Sequence, residues 1–196
     1  MRSSKMRHTA GCLRKHAQLV ASIGAALLML PIAFMGQETA PRVYVVGHFT
    51  NMRFTEEHAY GYAVELWRHG DSLLGLFLAS EGLQGDTPTG LLEDLKFDTK
   101  TGRIFFRAKL SIGVVYSKDH DGVPSRDVFE FSGVLGKNRL TGTLQRRDGL
   151  SPQDAPKIEK IALTRTKSND GMEPFQSLDD WKKAADGILK FRGPKW

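Results

Sequence analysis

From residue 42 to residue 166, apolar and polar side chains alternate with a period of two, and turn-forming residues interrupt them every eight to twelve positions. A chain patterned this way must gather several half-buried strands around one core. Val43, Val45, Gly47 and Phe49 share a face of the first segment, and Tyr60, Tyr62, Val64 and Leu66 share a face of the second. His69-Gly70-Asp71 makes a tight turn into residues 72–79, whose run SLLGLFLA is apolar on both faces and predicts a strand covered twice. Residues 90–98 and 103–112 follow. In the latter, Ile104, Phe106, Ala108, Leu110 and Ile112 oppose Arg107 and Lys109. Asp127–Leu135 and residues 139–147 flank the turn Gly136-Lys137-Asn138, and residues 157–166 complete eight strands.

The connections alternate in length, which predicts an all-β, eight-stranded antiparallel up-and-down barrel with short turns at one end and longer loops at the other. A two-sheet sandwich is the competing arrangement. Gly61, Gly75, Gly133 and Gly142 lie inside strands, where a small barrel has to coil sharply. The barrel domain spans residues 41–166 and a polar linker spans 167–176. Residues 177–196 form one C-terminal amphipathic α-helix and tail, with Ser177 as N-cap and Asp180 at the third helical position. Leu178, Trp181, Ala185, Ile188 and Leu189 make its apolar stripe. That stripe packs on the outer wall over residues 72–79, or meets a membrane surface or partner through the basic residues Lys182, Lys183, Lys190, Arg192 and Lys195.

Residues 1–40 read as an address. Arg2, Lys5, Arg7, Arg14 and Lys15 form a basic head before the uncharged run of residues 19–35. This is the layout of an N-terminal signal helix, cleaved on export, or of an uncleaved inner-membrane anchor. At about 1.5 Å per residue the run reaches roughly 25 Å, short of a hydrocarbon core of about 30 Å. Membrane contact is therefore expected only through residues 17–35, and only if the leader is retained; the domain itself is expected to be periplasmic or secreted. Cys12 is the only cysteine, so the domain beyond the leader has no disulfide, thiolate metal site or cysteine nucleophile. The formal charge of +6 falls to +2 without residues 1–40. The basic residues of the rear third, including Arg139, Arg146, Arg147, Lys157, Lys160 and Arg165, lack the interleaved aromatics of a nucleic-acid platform.

Gly47-His48-Phe49 on the first strand resembles the G-x-W of the calycin group, lipocalins and avidins, with Phe in place of Trp. Thr164-Arg165 on the last strand is similar to the arginine that closes such barrels over that ring. The helix after strand eight matches the lipocalin order, and residues 51–58 match its long first loop. The resemblance implies a ligand-binding barrel of small exported proteins. Biotin binding is not implied, because Trp67 is the only tryptophan in the strands.

The apolar faces turn Val45, Phe49, Tyr60, Tyr62, Leu91, Phe106, Phe129 and Phe131 inward, and the same phase turns Glu93, Arg146, Glu159 and Arg165 inward. Two accounts follow. In one, an internal cavity binds a small apolar or amphipathic ligand, with Tyr60, Tyr62, Phe106 and Phe131 as walls and Glu93 or Arg165 as polar anchor. In the other, the core is solid and the protein is a structural or protein-interaction module of the cell envelope. No catalytic motif and no cofactor signature is present. His48, His58, His69 and His120 are too widely spaced to name a metal site, though His48 and His58 could meet at the first loop with Glu56 or Glu57. The calcium-like start Asp119-His120-Asp121 fails because Val123 and Pro124 occupy ligand and glycine positions.

Overall fold

The computed structural model describes residues 42–83, 87–116 and 118–196. The leader of residues 1–40 lies outside them. The strands are β1 (Val43–Thr50), β2 (Arg53–Phe54), β3 (His58–His69), β4 (Ser72–Leu83), β5 (Thr89–Leu91), β6 (Glu93–Phe97), β7 (Arg103–Leu110), β8 (Val114–Tyr116), β9 (Asp121–Pro124), β10 (Asp127–Leu135), β11 (Arg139–Asp148) and β12 (Lys157–Arg165), followed by the helix α1 (Leu178–Arg192).

The main sheet runs β5-β4-β3-β1-β12-β11-β10-β7-β6, every pair antiparallel, with β2 attached to β3. Its two edges, β5 and β6, are consecutive in the chain and separated only by Leu92. The sheet therefore curls into a nearly closed barrel. Nine strands lie on its path instead of eight, because the expected fourth strand is broken at Leu92, whose side chain is buried. Two residues later, Asp94 takes a left-handed conformation at φ 51°, and the register with β7 slips between Glu93 and Lys96. This bulge lets one segment pair first with β4 and then with β7.

Phe49, Phe77, Phe106, Phe129 and Phe131 are fully buried; Phe106 stacks on Phe131 at 5.0 Å between centroids, and Phe77 meets Phe129 and Phe106 in tilted pairs at 5.1 and 5.9 Å. Each such ring contributes roughly 1.5–3 kcal/mol of apolar burial. The facing pair Gly133 and Gly142 lets β10 and β11 approach, since a Cβ on either would strike the opposite backbone and the Phe131 ring. These rings and Leu110, Leu144 and Leu163 form one buried cluster in the barrel interior.

On the outside, Val43, Trp67 and Leu76 pack against Trp181 and Ala185 of α1, with Leu74 and Leu78 alongside. The helix covers β4, the strand whose sequence is apolar on both faces. Ser177 Oγ caps it by accepting from the Asp180 amide at 3.1 Å. Past the helix, Trp196 Nε1 donates to the Leu110 carbonyl at 3.2 Å, fastening the tail to β7.

Val45 and Leu91 do not face the interior as alternation predicts. Val45 packs in the outer cluster, because the register shifts between Val45 and Gly47 and inverts the phase before Phe49. Leu91 is 38% exposed, and Leu92 takes the buried place.

Candidate functional site

Strand direction separates the two ends of the barrel. The short turns 69–72, 97–103 and 135–139 close one end; the connections 50–58, 83–89, 110–127 and 148–157 crowd the other. At the short-turn end, Arg165 faces Phe49 in register, and a Cβ on Gly47 would lie 2.7 Å from Arg165 Nε and 3.3 Å from the Phe49 ring. Glycine at φ 155° leaves the room that the guanidinium fills. Arg165 thus packs over Gly47 and Phe49 at the bottom of the seam, away from the loop-bearing mouth.

The seam between β1 and β12 is in register at Phe49–Arg165 and Thr50–Thr164, and just below them the Thr166 amide donates to the His48 carbonyl at 2.8 Å. Beyond Thr50 the chain stays with β3: the Asn51 amide donates to the Tyr62 carbonyl at 3.1 Å, and the Tyr62 amide donates to Asn51 Oδ1 at 2.8 Å. Arg53 then faces Tyr60. From Lys157 to Leu163, β12 keeps its pairing with β11 but has no β1 partner on the other side, and the seam splits.

A cleft of about 570 Å³ opens there, lined by Arg53, Tyr60, Tyr62, Glu81, Lys157 and Glu159 among others. Tyr60 is 48% exposed and lies parallel to His58 at 6.0 Å, whereas Tyr62 is buried against Phe77. Tyr62 Oη reaches across the split to donate to Glu159 Oε1 at 2.5 Å. Burial, together with the neighbouring Glu159 carboxylate, pushes the Tyr62 phenol above its ordinary range. It is a proton donor here, not a base. Ser80 also lines the cleft, and its buried hydroxyl has no hydrogen-bond partner among the described residues.

Beside the cleft, Arg146 joins Glu81 at 2.7 Å to Asp127 at 2.9 Å. Asp127 also accepts from Ser125 Oγ and from the Ile112 amide, so it ties the strand starts together. Burial works against the charge of Arg146, but the two carboxylates outweigh it and hold its pKa above the ordinary value. Asp127 and Glu81 were readable from phase: each stands two or four residues from Phe129, Phe131 or Phe77 on an inward face.

The sequence-predicted residues therefore divide. Tyr60 and Tyr62 meet at the cleft. Phe106 and Phe131 stack on each other at 5.0 Å, both fully buried in the core. Glu93 does not turn inward: it stands opposite Arg107 on the outer wall and pairs with Lys109 at 3.3 Å. The bulge at Asp94 is the reason. His48 faces Glu65 while His58 faces Leu83, so the two histidines do not come together. Glu130, the acid at the twelfth place counted from Asp119, pairs with Arg107 at 3.2 Å. Among the described residues, no group of three or more His, Cys, Asp or Glu is arranged to hold a metal ion, and no helix is long and apolar enough to cross a membrane. Compared with protein-family models, curated proteins and solved structures, the chain matches none.

Proposed function

We propose that this protein is an exported, non-catalytic binding barrel that takes a small amphipathic ligand at the split seam instead of inside the barrel. The observation carrying this reading is the contrast between an interior packed with phenylalanine rings and an open cleft of about 570 Å³ at the loop-bearing end. The cleft offers an exposed ring, Tyr60, for an apolar or sugar-like face, and Arg53, Lys157 and the unpartnered Ser80 hydroxyl for polar groups. Its two carboxylates are already engaged, Glu159 by Tyr62 and Glu81 by Arg146. Neither is placed as a free acid–base group, which supports binding over catalysis.

Calorimetric titration of the full-length chain with octyl glucoside, below its micelle concentration, tests the reading. Binding by the wild type that weakens at least about fivefold in Tyr60→Ala is expected, from the loss of a contact worth roughly 1 kcal/mol. Equal binding by Tyr60→Ala, with loss of binding on altering the core residue Phe131 to Leu, would put the ligand back inside.

One observation favours a second reading, a protein-interaction module. Tyr116 and Val114 of the β8–β9 hairpin are 75% and 53% exposed at the same end. A partner captured through that hairpin would be lost on Tyr116→Ser and unaffected by Tyr60→Ala.

A further inference from the structure

The helix α1 touches the barrel unevenly. Trp181 and Ala185 are buried, and Trp196 is bonded beyond the helix, but between these anchors Ile188 and Phe191 are 39% and 75% exposed. A groove of about 440 Å³ runs beneath this stretch, walled by Leu76, Leu78, Ala184, Ile188 and Phe191. Gly187 lines it with nothing within 4 Å of where a Cβ would be. A glycine inside a helix costs about 1 kcal/mol relative to alanine, and here no close contact requires it.

Glu65 and Ile188 form a common wall with a second recess of about 320 Å³, whose charged lining residues are Glu65, Asp170 and Glu173 and whose aromatic ones are Trp67 and Phe175. No basic residue lines that chamber; Arg192 lines only the groove. Asp170 is occupied by His48, whose Nδ1 lies 2.6 Å from its carboxylate in an approach too oblique for a straight hydrogen bond. Glu65 has no hydrogen bond or ion pair among the described residues, and burial raises its pKa, with Asp170 adding to the rise and His48 and Arg192 opposing it. A carboxylate desolvated without a direct hydrogen bond or ion-pair contact is costly, and a cation delivered to it recovers part of that cost. Aromatic rings beside carboxylates suit an organic ammonium.

We propose that this recess binds an organic ammonium carrying an aliphatic tail, the ammonium in the chamber beside Glu65 and the tail along the groove under α1. The acids lining the chamber attract the ammonium, and the apolar walls of the groove, Leu76, Leu78 and Ile188, accept the chain. The site is separate from the cleft at the seam.

The test is a titration of the full-length chain with octyltrimethylammonium below its micelle concentration, followed by the fluorescence of Trp67 and Trp181. Octanoate serves as the matched anion. The ammonium should bind at least about tenfold more tightly than octanoate, and Glu65→Gln should weaken it about tenfold or more, the usual worth of a contact to a buried charge. Gly187→Leu, which fills the groove, should also abolish binding, while Tyr60→Ala should leave it unchanged. Circular dichroism establishes that each variant is folded. Equal affinity for the two probes, no binding by the wild type, or unaltered binding by a folded Glu65→Gln would overturn the proposal. Loss of binding in Tyr60→Ala would also overturn it, by placing the probe at the seam.

Discussion

The two ends of the seam between β1 and β12 close by different physics. At the short-turn end, backbone pairing at Phe49–Arg165 and Thr50–Thr164 is backed by a guanidinium packed into the space over Gly47. At the loop-bearing end, pairing stops and side chains span the opening: Tyr62 donates to Glu159, and Arg146 of β11 joins Glu81 of β4 to Asp127. The lower closure joins backbone pairing to a side chain packed beside the buried Phe49 ring. The upper one is polar, and its groups remain within reach of a ligand.

Substitutions should separate the two closures, beginning with the largest effect. Phe49→Ala removes a fully buried ring from the closed end and should cost about 3–5 kcal/mol in urea denaturation. A smaller loss would mean that this end is looser than its pairing implies. Arg146→Met deprives the nearly buried Asp127 of its cation and should cost about 2–3 kcal/mol, less than the ring. A larger cost would make the polar end the stronger closure. Gly47→Ala combines φ 155° with the approach of Arg165 and should cost about 1–2 kcal/mol. Tyr62→Phe should cost only about 1 kcal/mol while widening the cleft.

That last substitution also has a pH signature. The folded state holds the Tyr62 proton more tightly than the unfolded state does. Its contribution is therefore fully present below the ordinary tyrosine pKa of about 10 and is lost as the pH climbs through the folded value. Wild type should lose stability above that point more steeply than Tyr62→Phe, as measured by urea midpoints across alkaline pH. Parallel curves would mean that the hydrogen bond across the split is not formed in solution.

Much of this barrel was legible in the alternation, because a face of Phe129, Phe131, Phe106 and Leu110 has only one way to be buried. The capped C-terminal helix was legible too, from Ser177, Trp181 and Ala185. What alternation could not convey was the two bulges. At Gly47 and at Asp94 one extra residue inverts the phase, so Val45 went to the helix side and Glu93 to the outer wall. The β8–β9 hairpin was missed because strands of three and four residues hold too few apolar positions to show a period. Half of the cleft was visible in Tyr60 and Tyr62. Glu81 and Asp127 were passed over although each continues an inward apolar face, because a charged residue at a strand end reads as solvated until the partner strand is known. The splitting of the seam depends on where β1 parts from β12, some hundred residues apart in sequence.

The central claim is that the split seam, and not the interior, receives the ligand. Chemical-shift mapping of the ¹⁵N-labelled full-length chain during an octyl glucoside titration addresses it most directly. Perturbations gathered on Asn51, Arg53, Tyr60, Gly61, Ser80 and Lys157, with Phe106 and Phe131 silent, are predicted. Shifts centred on Phe106, Phe131 and Leu144, with the seam silent, would contradict the account.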